Sequence, residues 1–191
     1  MSIFKITATI VVATAVLVAS PSKKDPELKS AIKTGNKSSK LLLKTLGKNM
    51  KKNMKSGGVF QALDFCSNEA YSITESVNKE LPKGVTVKRI SAKNRSDANK
   101  PTAKELAVLQ TFENMQKQNI VLPKFLVEKV DTQTMKFYKP LVINKQVCLK
   151  CHGDITNKKL KAEITSRYPN DKATHYKMGD LRGAIVVTIK K

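Results

Sequence analysis

The sequence contains no tryptophan, and only 5 % of its 191 residues are aromatic. So few aromatic side chains would leave a thin core for a chain of this length. Acidic residues are also scarce, with 15 against 36 basic ones, which gives a net charge of +21 at pH 7. Only four of the basic residues are arginine, whereas nucleic-acid-binding faces usually combine arginine with stacking aromatics. We therefore expect no nucleic-acid partner. We interpret the charge as a solvated lysine-rich surface that could attract an acidic redox or signalling protein, or an anionic membrane face.

The N-terminal apolar run, Ile6 to Ala19, is shorter than the roughly 20 residues that a membrane-spanning helix needs. It follows a basic residue, Lys5, and ends abruptly at Ser20-Pro21. This pattern predicts a signal peptide over residues 1–19. An uncleaved N-terminal anchor is the alternative, since Leu17 departs from the small residue preferred three positions before cleavage. In both cases the domain would lie outside the cytoplasm, in the periplasm.

The strongest motif is Cys148-Leu149-Lys150-Cys151-His152, which has the spacing C-x-x-C-H. Two thiols three positions apart can each bond one vinyl group of the same porphyrin, and the adjacent histidine then faces the iron. The motif predicts one covalently bound haem c with His152 as proximal iron ligand. The porphyrin would also supply apolar packing. A zinc site is the alternative, but the sequence has no second C-x-x-C or H-x-H to complete it.

The remaining pattern predicts an α+β domain with long N-terminal helices and an antiparallel sheet. We interpret residues 20–56 as a basic helical extension, broken at Gly35-Asn36 and ended by Gly57-Gly58, and residues 57–191 as the haem domain. In chain order we predict a helix over 59–81, a strand over 85–90, a loop over 94–101, a helix over 102–118, a hairpin of strands over 125–130 and 135–142, a short helix with the haem motif, a helix over 159–167 and a strand over 181–189.

One cysteine, Cys66, is left over once the motif has bound a porphyrin. It belongs to an apolar face with helical spacing, formed by Val59, Leu63, Cys66, Ala70, Ile73 and Val77. A free thiol in such a place is commonly a small buried hydrophobe, but it could also reach the iron as distal ligand. His175 and Met178, in a loop that could fold over the haem, are the competing distal ligands.

Several segments stand in a distinctive order over residues 40 to 190. They are Ala62-Leu63-Asp64-Phe65-Cys66, Asn94-Arg95, Phe137-Tyr138-Lys139-Pro140-Leu141-Val142-Ile143 leading into Cys148-Leu149-Lys150-Cys151-His152-Gly153, and Tyr168-Pro169-Asn170-Asp171-Lys172-Ala173 followed by Tyr176, Gly179-Asp180 and Arg182-Gly183-Ala184-Ile185-Val186. In order and spacing they resemble the c-type haem family of PAS-like sensory domains. That family occurs as small exported proteins and as periplasmic input modules of bacterial signalling proteins.

The resemblance implies a PAS-like antiparallel sheet with covalently bound haem c. It also implies an iron held between the motif histidine, here His152, and a cysteine on the preceding long helix, here Cys66. At His175 the sequence departs from the family's usual small residue, which leaves a second iron-reaching side chain open. Candidate contacts to the haem propionates are Arg95, Lys139, Tyr176 and Arg182, because buried carboxylates need cations or hydrogen-bond donors.

These features together predict an exported single-haem protein that senses redox state or a small gas through His/Cys-ligated iron. The alternative is a low-potential periplasmic electron-transfer cytochrome. We expect no enzymatic activity, because the sequence shows no distal His-Arg pair and no second haem motif.

Overall fold

The structure is a computed structural model that describes residues 25–191. The predicted signal peptide lies outside the described residues. Within them the chain forms helices α1 to α5 and strands β1 to β4: α1 Pro26–Asn68, α2 Ala70–Glu80, β1 Val85–Ile90, α3 Ala103–Lys117, β2 Leu126–Lys129, β3 Thr134–Val142, α4 Gln146–His152, α5 Lys158–Arg167 and β4 Leu181–Lys190. None of the helices in this part of the chain has a stretch both long and apolar enough to cross a membrane.

The four strands form one antiparallel sheet in the order β1-β4-β3-β2. Alternation along β3 and β4 gives the sheet two apolar faces, because successive side chains point to opposite sides. One face, with Phe137 and Val187, packs against α1 and α2. The other, with Tyr138 and Val186, packs against α3. The predicted α+β class and antiparallel sheet are therefore confirmed.

The helix α1 differs from the prediction at Gly35-Asn36, where the structure shows continuous helix. The predicted break is wrong for a packing reason: Gly35 lies against the ring of Phe137, and a Cβ atom at Gly35 would collide with that ring. The glycine thus permits close approach of helix and sheet, and its low helix propensity is outweighed by that contact.

The predicted interruption at Gly57-Gly58 is present as a kink inside α1, where both residues have non-helical dihedral angles and Gly58 has φ of 66°. The boundary between the predicted extension and the haem domain falls at this kink. Leu42 and Leu46, which precede it, nevertheless belong to the same core cluster as Phe65, which follows it.

The helix predicted over 59–81 is divided between the end of α1 and α2. At the junction Glu69 has φ of −118°, yet its N–H still donates to Phe65 O and its carbonyl accepts from Ile73 N–H. Because these i to i−4 bonds continue across the junction, the apolar face keeps its phase. Leu63, Ala70 and Val77 are buried as the spacing predicts.

Candidate cofactor site

The short helix α4 carries the whole haem motif. Cys148 and Cys151 stand one turn apart and are both half-buried free thiols. The helix ends at Gly153, whose N–H donates to Leu149 O at 2.8 Å. A Cβ atom at Gly153 would lie 2.8 Å from that carbonyl oxygen, so glycine allows the tight ending. The two cysteines are therefore held one turn apart on the same short helix.

His152 is held in the form that ligates iron. Its Nδ1 lies 2.9 Å from the carbonyl oxygen of Ala173, and because that oxygen can only accept, Nδ1 carries the proton. The lone pair of Nε2 is thereby left for a metal. Burial, reinforced by the positive charges of Arg182 and Arg95, lowers the pKa of His152 to about 3. The imidazole is neutral at any physiological pH.

Arg95 ties the motif to the loop that orients the histidine. Its Nη2 donates to Cys151 O at 2.6 Å and forms a buried ion pair with Asp171 at 3.0 Å. Asp171 in turn accepts from Ala173 N–H at 2.8 Å. The carbonyl that fixes His152 is thus positioned by the same network. Arg95 is predicted above as a propionate contact, and in the structure it also anchors the motif.

Replacing Asp171 by asparagine should lower the free energy of unfolding by about 1.5–3 kcal/mol, because it removes the charge from a buried hydrogen-bonded pair while keeping an acceptor oxygen. Denaturant titration of the purified protein would measure the loss. The exposed Asp154→Asn variant is the matched control, with an expected change within about 0.5 kcal/mol. Equal losses in the two variants would contradict an anchoring role for the Arg95–Asp171 pair.

Cys66 lies on α1, and α1 contacts the motif helix α4. Its half-buried thiol packs against the core cluster on the α1 side of the sheet. Burial raises the pKa of Cys66 to about 11; the charge of Arg89 opposes this rise, and Cys151 adds to it. The structure thus places the helix that carries Cys66 against the helix that carries the motif.

A further contact joins α5 to α1 beside Cys66. Arg167, at the end of α5, donates from Nη1 to Asp64 Oδ1 and to Ser67 Oγ, each at 2.8 Å. These two residues flank Cys66 on α1, but the contact is solvent-exposed, and exposed ion pairs contribute little to holding a helix in place.

The two competing distal ligands lie at the surface. The side chain of His175 is 76 % exposed, with φ of 61°, and its Nδ1 lies 2.5 Å from Asp154 Oδ1. Met178 is 42 % exposed. Backbone bonds from His175 N–H to Gly153 O and from Tyr176 N–H to His152 O hold this loop against the end of the motif.

Two predicted propionate contacts lie beside the motif histidine. Tyr176 is only 7 % exposed, and its ring meets that of His152 edge-on, with centroids 6.3 Å apart. The guanidinium of Arg182 lies 5.3 Å from the centroid of Tyr176 and donates to Ser91 Oγ at 2.6 Å. Burial lowers the pKa of Arg182.

Lys139 is placed differently from the other predicted contacts. On β3 it lines a surface groove together with Pro123, Phe125 and Pro140. The structure does not bring it to the cluster formed by Arg95, Arg182 and Tyr176.

Arg89, on β1, is a site residue that the sequence reasoning missed. It shares a sheet face with Val85 and Val87, whose side chains are buried. Burial lowers the pKa of Arg89, and Cys66 is the leading opposing influence. The alternation of Val-Thr-Val-Lys-Arg-Ile could have indicated an inward arginine, since the first, third and fifth positions share a face.

The buried charges around the two cysteine-bearing helices are suited to an anionic group. The Nε atoms of Arg89 and Arg95 are buried and have no hydrogen-bond partner in the described part of the chain. Among residues 25–191, Arg95 pairs with Asp171, while neither Arg89 nor Arg182 forms an ion pair with a carboxylate. Buried cations without partners are costly. A haem, with two propionates and an iron that binds imidazole and thiolate, fits this set of donors.

The zinc alternative would need several ligands around one point. In the described range the structure contains no group of three or more His, Cys, Asp or Glu side chains that could hold a metal ion.

Comparison with known proteins identifies a family and a solved structure with a similar fold. A family model described as Tll0287-like matches residues 19–190. The solved structure titled "Crystal structure of the cyanobacterial heme-protein Tll0287" is similar, with a TM-score of 0.59 and 21 % sequence identity over 87 % of this chain and 97 % of that one. At this identity the likeness shows a shared fold. A search of curated proteins finds no match.

Proposed function

Because the chain belongs to the Tll0287-like family, we propose that it is a haem-binding protein whose single haem c is attached to Cys148 and Cys151 and ligated by His152 and Cys66. We propose further that it senses redox state or a small gas through a change of the distal ligand. A similar structure carries the description heme-protein. The observation that carries the proposal is the contact between α1, which bears the half-buried thiol of Cys66, and α4, on which a neutral histidine with an available Nε2 follows two thiols at attachment spacing.

Each ligand in this proposal has a distinct chemical character. A bound haem would supply a redox-active iron whose potential depends on its axial ligands. His152 is a fixed ligand, because Ala173, Asp171 and Arg95 hold its ring and the adjacent helix. Cys66 is the exchangeable ligand: it must lose a proton to bind, and burial opposes that loss. A lower positive charge on the bound iron would favour release of the Cys66 sulfur from it. A release of this kind is the two-state element that sensing requires.

The proposal also covers the type of fold and the cellular location. An antiparallel sheet with α1 and α2 on one face, and the haem-bearing segment leading out of β3, supports a PAS-like sensory domain. The sequence of residues 1–19 supports export to the periplasm, where c-type attachment takes place. We propose a binding protein rather than an enzyme.

A low-potential electron carrier is the second candidate function. The net charge of +21 favours it, because a lysine-rich surface attracts acidic redox partners. In this case Cys66 would stay bound in both oxidation states.

The test is to produce the protein with haem-maturation machinery, record its mass, and compare Fe(III) and Fe(II) absorption spectra with and without carbon monoxide. We expect a mass increase of one haem that is lost in a Cys148→Ala, Cys151→Ala double variant. Carbon monoxide should bind Fe(II) readily with loss of the thiolate signature. Iron that stays inert to carbon monoxide would favour the electron carrier, and colourless protein without added mass would refute the haem assignment.

A further inference from the structure

Arg89 is a half-buried cation with unused hydrogen-bonding capacity. It is half-buried on β1, its Nε is fully buried, and that Nε has no partner among the described residues. A guanidinium keeps its charge under all ordinary conditions, so burying one without a partner is costly unless something else completes the site.

The fold places Arg89 on the face of the sheet that α1 covers. Its register partner is Ile185 on β4, in the core cluster on the α1 side of the sheet. Val85 and Val87, which share its face, belong to that cluster, and Cys66 packs against the same cluster from α1. Arg89 therefore continues the sheet face on which the Cys66 helix lies.

The neighbouring guanidinium groups already have partners for a terminal nitrogen. Arg95 binds Cys151 O and Asp171, and Arg182 donates to Ser91 Oγ. Two acidic groups raise the pKa of Arg89 against the effect of burial: the thiol of Cys66, which has the larger influence, and the phenol of Tyr168. Arg89 is also the cation that most strongly opposes the effect of burial on Cys66.

We propose that Arg89 is a positioning residue for the distal ligand, with its guanidinium donating a hydrogen bond to the sulfur of Cys66 when that sulfur is a thiolate. The inference rests on the proposed His152 and Cys66 ligation. A charge-assisted hydrogen bond to the sulfur withdraws electron density from it and holds it in place. Arg89 thereby weakens thiolate donation to the iron and favours the reduced state, which carries one more negative charge.

The test compares Arg89→Gln and Arg89→Lys variants of the haem-loaded protein with the wild type. Arg167→Gln is the matched control, because Arg167 contacts Asp64 and Ser67 beside Cys66 but is exposed and paired. In Arg89→Gln we expect the sulfur-to-iron charge-transfer band of the ferric protein to move to longer wavelength and the midpoint potential to fall. Arg89→Lys should restore both in part, and Arg167→Gln should change neither.

Three outcomes would overturn the proposal. An unshifted charge-transfer band with a lowered potential would assign Arg89 to a propionate instead of the sulfur. Reduced stability with unchanged band and potential would assign it a purely structural role. Shifts of the band and the potential of equal size in Arg167→Gln would show that the effect is not specific to Arg89. The proposed function fails separately, by absence of covalent haem in the wild type or by an unchanged ferric spectrum in a Cys66 variant.

Discussion

Replacing Cys66 by alanine is expected to abolish the thiolate-ligated, low-spin ferric spectrum while leaving haem attached at Cys148 and Cys151. The reason is that Cys66 lies on α1, which contacts the motif helix α4, and that its thiol packs on the side of the sheet that α1 covers. Absorption and electron paramagnetic resonance spectra of the ferric protein would report the change.

The same substitution should raise the reduction potential. A thiolate places negative charge on the iron and favours Fe(III), so its loss stabilises Fe(II). We expect a rise on the order of 0.1 V, a fraction of the roughly 0.8 V that axial ligands span. Protein-film or solution voltammetry would measure it. The fold should survive, because Cys66 is only half-buried and contributes little volume to the core cluster.

Two further variants serve as controls for the ligand assignment. His175→Ala and Met178→Ala remove the surface side chains that compete for the iron, and we expect both to keep the wild-type spectrum. If Cys66→Ala kept the spectrum and His175→Ala lost it, the distal ligand would be His175. The loop over residues 175–178 would then have to turn inward from its observed position.

Much of the site was predictable because its chemistry is local. The C-x-x-C-H spacing and the inward position of Cys66 each follow from one helix turn or one helical face. The buried residues Leu63, Ala70 and Val77 confirm the helical phase on which the Cys66 prediction depended.

What the sequence did not reveal depends on contacts between distant segments. Gly35 has the composition of a helix break, and only its contact with Phe137 explains why the helix continues. Arg95 joins Cys151 and Asp171, which lie far along the chain. Arg89 resembles a surface charge on a strand until the helix that covers that strand face is known. In each case the neighbour, and not the residue, decides the role.

The largest loss of stability is expected at Glu105 on α3, whose side chain is 1 % exposed. Its carboxylate accepts from Lys88 Nζ at 2.8 Å and from Lys136 Nζ at 3.0 Å, and also from Thr102 N–H at 3.0 Å. Lys88 is on β1 and Lys136 on β3, the strands on either side of the central β4. One carboxylate therefore caps α3 and fastens it across the sheet.

Replacing Glu105 by alanine should lower the free energy of unfolding by about 3 kcal/mol, the lower end of the range for breaking a buried ion pair. The lower end applies because the Lys88 side chain is 41 % exposed, so water can hydrate its ammonium group once Glu105 is gone. A loss remains because the Lys136 side chain is only 18 % exposed and would be left without its partner. Denaturant titration monitored by circular dichroism would measure the loss. Glu113→Ala on the same helix is the control, because the ion pairs of the described residues do not include Glu113.

Glu105 should also make stability depend on acid pH. Burial alone would raise the pKa of Glu105, but the hydrogen bonds from Lys88, Thr102 and Lys136 outweigh burial and hold that pKa at about 2. In the unfolded chain the pKa of a glutamate is about 4.3. Because the folded value is the lower one, the contribution is complete above about pH 4.3 and disappears as pH falls towards about 2. Glu105→Gln should remove this part of the acid dependence, and a variant that kept the wild-type slope between those limits would show that other carboxylates cause it.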